Sequence, residues 1–190
     1  MDGVVIAGIV LVVLVLIGIF WWIGTYNGLV RKRQDVKASW AQIDVQLKKR
    51  YDLVPNLVET VKGYAAHERE TLENVTKARQ QAIDASNVKD QVAAENFLSS
   101  TLKSLFALSE AYPDLKANQN FLMLQEELSG IESKIAYARQ HYNDVVMVYE
   151  TGRMQFPASI VAGSAGFGPE EYFEIELAEE REAPKVSFGK

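Results

Sequence analysis

The stretch Gly3–Ile23, GVVIAGIVLVVLVLIGIFWWI, holds no charged residue, and its reading decides the fold. At a helical rise of about 1.5 Å per residue it spans roughly 30 Å, the thickness of a bilayer's hydrocarbon core. It is too long and too apolar for the h-region of a secretory signal. Only Met1 and Asp2 precede it, so no basic n-region is present, and no small-x-small cleavage site follows. With no Cys in the chain it is not a lipoprotein signal. The expectation is an uncleaved transmembrane anchor over residues 1–25, set against the alternatives of a cleaved segment or a buried core helix.

The flanks orient this anchor. Arg31, Lys32 and Arg33 follow it closely, with Lys37 behind, whereas no Lys or Arg stands upstream. The positive-inside rule then places the basic cluster in the cytoplasm and the N-terminus outside. Trp21 and Trp22 sit at the cytoplasmic end, where amphipathic rings favour the headgroup layer, and the basic cluster attracts anionic membrane lipid. Gly24 and Gly28 form a small-xxx-small pair at this interface. Such a pair lets anchors of two copies pack closely, and it equally suits a flexible joint.

Beyond the anchor, residues 26–152 read as helix almost throughout, sparse in Gly and Pro and rich in Ala, Leu, Glu, Gln and Lys. The clearest pattern comes late. Phe121, Leu124, Leu128, Ile131, Ile135, Ala138, Tyr142, Val145 and Tyr149 recur at spacings of three and four, a heptad seam suited to near-parallel helix packing. Val36, Trp40, Ile43, Leu47 and Val54 do the same earlier in the chain. Pro55 suits the first turn of a new helix, Ala85-Ser86-Asn87 has cap and turn chemistry, and Tyr112-Pro113 ends a helix. Together these predict an all-α protein: one transmembrane helix, then an antiparallel up-and-down four-helix bundle with helices at about 26–53, 55–85, 88–111 and 117–151. The apolar period runs through Pro55 nearly unbroken, so a single kinked helix there stays open as an alternative.

After Gly152 the character changes. Phe156-Pro157 breaks the helix, Gly163 to Pro169 reads as a flexible linker, and Glu170 to Leu177 is partly strand-like. Residues 153–190 are therefore expected to be a flexible, irregular tail. It is acidic, with 4 basic and 7 acidic residues, against 16 and 17 between Arg31 and Thr151. No basic stripe suits nucleic acid. His67 and His141 lack the Glu three residues earlier that a di-iron bundle uses, because Tyr64 and Ala138 stand there. No triad, metal cluster or dinucleotide loop is legible, so no catalytic, cofactor or metal residue is assigned. Asn56, Tyr64, Tyr112, Asn118, Asn120, Tyr137, Tyr142 and Asn143 are expected to make hydrogen bonds between helices.

The span followed by Tyr26-Asn27-x-Leu29-Val30 resembles the LemA family of bacterial membrane proteins. So do the blocks QLKKRYDLVPNLV from Gln46 to Val58, VKGY from Val61 to Tyr64 and AYPDLKAN from Ala111 to Asn118. Ile135-Ala136-Tyr137-Ala138-Arg139-Gln140-x-Tyr142-Asn143, Phe156-Pro157 and Tyr172-Phe173 extend the match over nearly the whole chain. The resemblance implies an anchored four-helix bundle in the bacterial inner membrane with its N-terminus outside, and no known enzymatic activity. The functional expectation is a non-enzymatic scaffold that self-associates as a homo-oligomer at the cytoplasmic face. The alternatives are an adaptor that recruits another membrane protein, such as a protease, through its tail and, further off, a hydrolase.

Overall fold

The computed structural model describes residues 2–173, and among these every regular element is helical. Helix α1 runs from Asp2 to Lys62, α2 from Arg69 to Asp84, α3 from Val88 to Leu108, α4 from Pro113 to Lys116, α5 from Gln119 to Met154 and α6 from Ala158 to Ser164.

Helix α1 corrects the expected boundary at Pro55. It passes through Pro55 and ends at Lys62, nine residues beyond the expected end at residue 53. Proline removes the N–H that would bond the carbonyl four residues back, here that of Tyr51. The Arg79 Nε donates to that carbonyl at 2.7 Å instead. The chain turns at Gly63–Glu68, not at Pro55. The later boundaries follow the expected chemistry more closely. Asn87 caps α3 by accepting from the Asp90 N–H at 2.8 Å, and Asn118 caps α5 by accepting from the Phe121 N–H at 3.0 Å. Between them a 3₁₀ turn, Ser109–Ala111, leads into the short α4, which opens with Pro113.

The chain divides into two compact units, and α1 and α5 each contribute to both. One unit takes in the residues up to Val45 together with Ile135–Tyr172. Its buried side chains include Leu29, Val36 and Ile43 from α1, Ile135, Tyr142, Val146 and Tyr149 from α5, Val161 and Ala162 from α6, and Phe167. Trp40 meets Tyr142 edge-on, with ring centres 5.3 Å apart. The other unit takes in Gln46–Lys134 together with Phe173. Its core joins Val54, Leu57 and Val61 of α1 to Leu72, Val75, Ala78 and Ala82 of α2. Leu98, Leu102 and Leu105 of α3, Leu115 of α4, and Phe121 and Leu128 of α5 complete it.

Residues 153–173 differ from the expected flexible tail. Helix α6 forms there, and its end is closed by a capped turn. Gly166 has φ of +73°, and the Phe167 N–H reaches back to the Ala162 carbonyl at 3.0 Å. This is the left-handed helix cap that glycine permits, and the residue after it, Phe167, is buried. The glycines that suggested a linker are thus in part a fold-back. Beyond it, the Tyr149 hydroxyl donates to the Gly168 carbonyl at 2.7 Å and the Tyr142 hydroxyl to the Glu171 carbonyl at 2.8 Å. Of the expected strand, residues 170–173 are not in a strand, and the rest lies outside the described residues.

Candidate functional site

The apolar N-terminal stretch is the first functional feature. Every residue from Gly3 to Ile23 is exposed, so the stretch is not the core of this chain. It belongs to a helix long and apolar enough to cross a membrane. Trp21 and Trp22 lie exposed at its end. Gly24 and Gly28 have open space where a Cβ would point, so among the described residues nothing needs them to be glycine. The basic cluster is not three equivalent free charges. Arg31 is exposed, Lys32 is half-buried against Gly152, and Arg33 donates to Glu170 at 3.3 Å.

The seam on α5 holds for most of its length. Phe121, Leu128, Ile131, Ile135 and Tyr142 are buried, and Leu124 is half-buried. Val145 is half-buried too, and Val146 takes the fully buried place. A straight helix drifts about 20° per heptad against a strict 3.5-residue repeat, so the buried stripe steps on by one residue. Of the expected polar residues, Tyr112 donates to Glu68 at 3.1 Å and Asn118 donates to the Tyr64 hydroxyl at 2.8 Å. Asn56, Asn120 and Tyr137 are exposed, and Tyr64 largely so.

The main polar feature was missed in the sequence. Arg50 of α1 and Glu95 of α3 form an ion pair at 3.0 Å, with side chains 4% and 0% exposed. Glu95 also accepts from the Tyr51 hydroxyl and, at 3.4 Å, from Gln91. Gln91 further donates to Tyr51 at 2.9 Å and to the Ala82 carbonyl at 3.2 Å, and Arg50 donates to Ser99 at 2.9 Å. Burial and the neighbouring Glu95 carboxylate raise the Tyr51 hydroxyl well above the ordinary tyrosine range, so it stays a donor. A signal existed. Arg50 falls in phase with Ile43, Leu47, Val54, Leu57 and Val61, and Glu95 with Leu98, Leu102 and Leu105. A charge on an apolar stripe points to a buried partner of opposite sign.

Chemistry elsewhere is thin. Among the described residues no group of three His, Cys, Asp or Glu is placed to hold a metal. His141 lines an open groove of about 470 Å³ with Asp35, Ser39 and Asp144, but the Ser39 hydroxyl donates to the Val36 carbonyl at 2.8 Å. No general base therefore faces that hydroxyl's proton.

The sequence pattern of the LemA family matches residues 39–188, most of the chain. The chain belongs to the LemA family. Protein LemA of Metamycoplasma hominis is 27% identical over 150 residues, covering 77% of this chain and 68% of its own length. Magnetosome protein MamQ of Magnetospirillum gryphiswaldense is 22% identical over 174 residues, and MamQ 2 of Paramagnetospirillum magneticum 22% over 175; each match covers 78% of this chain. The chain spans 64% of the length of either MamQ protein. This LemA family member is a membrane-associated helical protein, its exposed apolar helix being continuous with the helix that enters both of its compact units.

Proposed function

We propose that this protein is a single-pass, non-enzymatic scaffold of the bacterial inner membrane, with its N-terminus outside and its helical units in the cytoplasm. The observation that carries the reading is α1. One uninterrupted helix presents an exposed apolar span and then supplies core residues of both units. What the anchor fixes in the membrane is therefore the packed domain itself, without a flexible tether. In this reading the segments of α1, α2, α3 and α5 in the Gln46–Lys134 unit make an up-and-down four-helix bundle. The excess of Arg and Lys after Trp22 supports the orientation.

The open flank of Gly24 and Gly28, where no described atom lies within 4 Å of the place a Cβ would take, supports self-association through close approach of a second anchor helix. Mass measurement of the full chain in nanodiscs tests it: a dimer or larger assembly is expected, with Gly24→Leu/Gly28→Leu shifting it toward monomer. Monomer at every concentration would refute the scaffold. Protease added outside sealed spheroplasts should leave the helical units intact, and their digestion would reverse the orientation.

A further inference from the structure

We infer that the segment Met154–Ile160 is a second membrane contact, an apolar foot that rests in the lipid interface beside the anchor. The inference depends on the anchor reading above. Sixteen consecutive residues, Met154 to Pro169, carry no charge, in a chain that is 24% charged. Within that run Phe156 is 82% exposed, Met154 68% and Ile160 55%, while Val161, Ala162 and Phe167 are buried on the other side. An exposed apolar cluster on one side of an otherwise packed element marks an interaction surface.

The position of the cluster says what covers it. Along α1 and α5 the pairings run antiparallel: Trp40 lies against Tyr142, and Lys32 against Gly152, so closely that a Cβ there would stand 3.2 Å from the Lys32 Cδ. Continued past Gly152, this register brings Phe156 level with about residue 28. That is about 7 Å beyond Ile23, at a helical rise of about 1.5 Å per residue. Near the other end of the uncharged run Phe167 meets Tyr26 edge-on, with ring centres 5.5 Å apart, about 5 Å beyond Ile23. The polar interfacial layer of a bilayer is about 5–7 Å deep on each side. Both ends of the run therefore lie at headgroup level wherever the anchor spans. Exposed Phe, Met and Ile side chains at that depth have lipid as their neighbour, in the manner of interfacial elements that lie in the plane of the membrane.

The charges bordering the run fit the same placement. Arg153 is paired with Glu150 at 2.5 Å, and Glu170 with Arg33 at 3.3 Å. Among the described residues, these two acidic groups bordering the run are thus paired within the protein, which weakens their repulsion of anionic lipid. Arg31 is exposed about 12 Å beyond Ile23 along the helix, just past the headgroup layer, from where its long side chain can reach back to the phosphates.

The chain has no Cys, so single-cysteine variants report one site each. Full-length Phe156→Cys, Ile160→Cys, Tyr137→Cys and Leu16→Cys would each carry an environment-sensitive fluorophore. They would be reconstituted in phosphatidylcholine–phosphatidylglycerol vesicles, with a nitroxide on the upper acyl chain as lipid-borne quencher and iodide as aqueous quencher. Tyr137 is exposed on α5, 17 residues before Met154. Labels at 156 and 160 should be quenched by the nitroxide lipid at least threefold more than the label at 137, and by iodide less. Nitroxide quenching no greater than at 137, with full access to iodide, would overturn the contact. Shielding from iodide without lipid quenching would also overturn it, because a protein face would then cover the segment. The Leu16 label separates the two readings: quenched while 156 and 160 are not, it leaves the anchor standing and removes only the foot. If Leu16 is itself unquenched, anchor and foot both fall.

Discussion

Replacing Glu95 by Leu should strand a buried charge. Among the described residues the Arg50 guanidinium is partnered by Glu95 at 3.0 Å, Ser99 at 2.9 Å, and Glu132 at 3.9 Å with a side chain 56% exposed. Glu95→Leu leaves a neutral hydroxyl and a distant, solvated carboxylate. Breaking a buried pair from one side costs about 3–5 kcal/mol. Arg50→Leu strands the Glu95 carboxylate instead, with Tyr51 and Gln91 as remaining donors, and should cost a similar amount. In the double variant neither charge remains. Gln91 keeps the Ala82 carbonyl at 3.2 Å, so the residual loss should be about 1–2 kcal/mol for loosened hydrogen bonds. The two single losses then exceed the double by about 3 kcal/mol or more. Urea unfolding of the full chain in mild detergent, followed by helical circular dichroism, measures all four corners of the cycle. Additivity within about 0.5 kcal/mol would mean the two side chains do not interact, and the network described here would be wrong.

Arg79→Ala should cost about 1–2 kcal/mol by leaving the Tyr51 carbonyl without a donor. The loss should shrink when Pro55→Ala restores the missing N–H, and an undiminished loss in melts of the Pro55→Ala background would refute that compensation. Ile131→Ala and Ile135→Ala should each remove about 2–5 kcal/mol, since both side chains are buried, whereas exposed Lys134→Ala should change stability by about 0.5 kcal/mol or less. Wild-type melting of both isoleucine variants would discard the seam as core. The Tyr142 hydroxyl is pushed up to about 12 by burial and then by the Glu170 and Glu171 carboxylates. Its raised value means the native state holds a proton that the unfolded chain releases near pH 10, so this contribution is complete below about pH 10 and is lost as the pH climbs toward 12. Difference titration of tyrosinate absorbance between wild type and Tyr142→Phe checks it, and a step at pH 10 would refute the burial argument.

How far the sequence carried the reading can be judged residue by residue. The helical class and the buried positions Phe121, Leu128, Ile131, Ile135 and Tyr142 were legible because they rest on local periodicity, and the exposed apolar N-terminal helix because it rests on local composition. The continuity of α1 through Pro55 was not, because the group that compensates the lost hydrogen bond belongs to Arg79, 24 residues further on and brought close only by the fold. Local chemistry could say that Pro55 breaks a ladder and could not say that the ladder is mended. The segment after Gly152 failed for a related reason. Glycine reads as flexibility when its neighbours are unknown, yet Gly166 serves a left-handed cap that turns Phe167 into the core. Arg50 and Glu95 were overlooked because a search for chemistry looks for charges beside apolar stripes, and these two lie on them.

That placement gives the pair a consequence beyond its own free energy. The stripes on α1 and α3 repeat at three and four, so a seven-residue slip of α3 still keeps part of its apolar stripe in place, with Leu105 where Leu98 stands or Leu98 where Leu105 stands. Hydrophobic packing alone distinguishes such registers weakly. The slip would, however, set Leu102 or Val88 where Glu95 stands and bury Arg50 without a counter-ion. An ion pair that contributes little net stability against an apolar replacement can therefore still fix one register. The double Leu variant separates these effects. It should lie within about 1–2 kcal/mol of wild type in unfolding, yet show broadened methyl resonances from Leu98, Leu102 and Leu105, where registers exchange. Sharp wild-type-like resonances would show that the apolar side chains fix the register by shape alone.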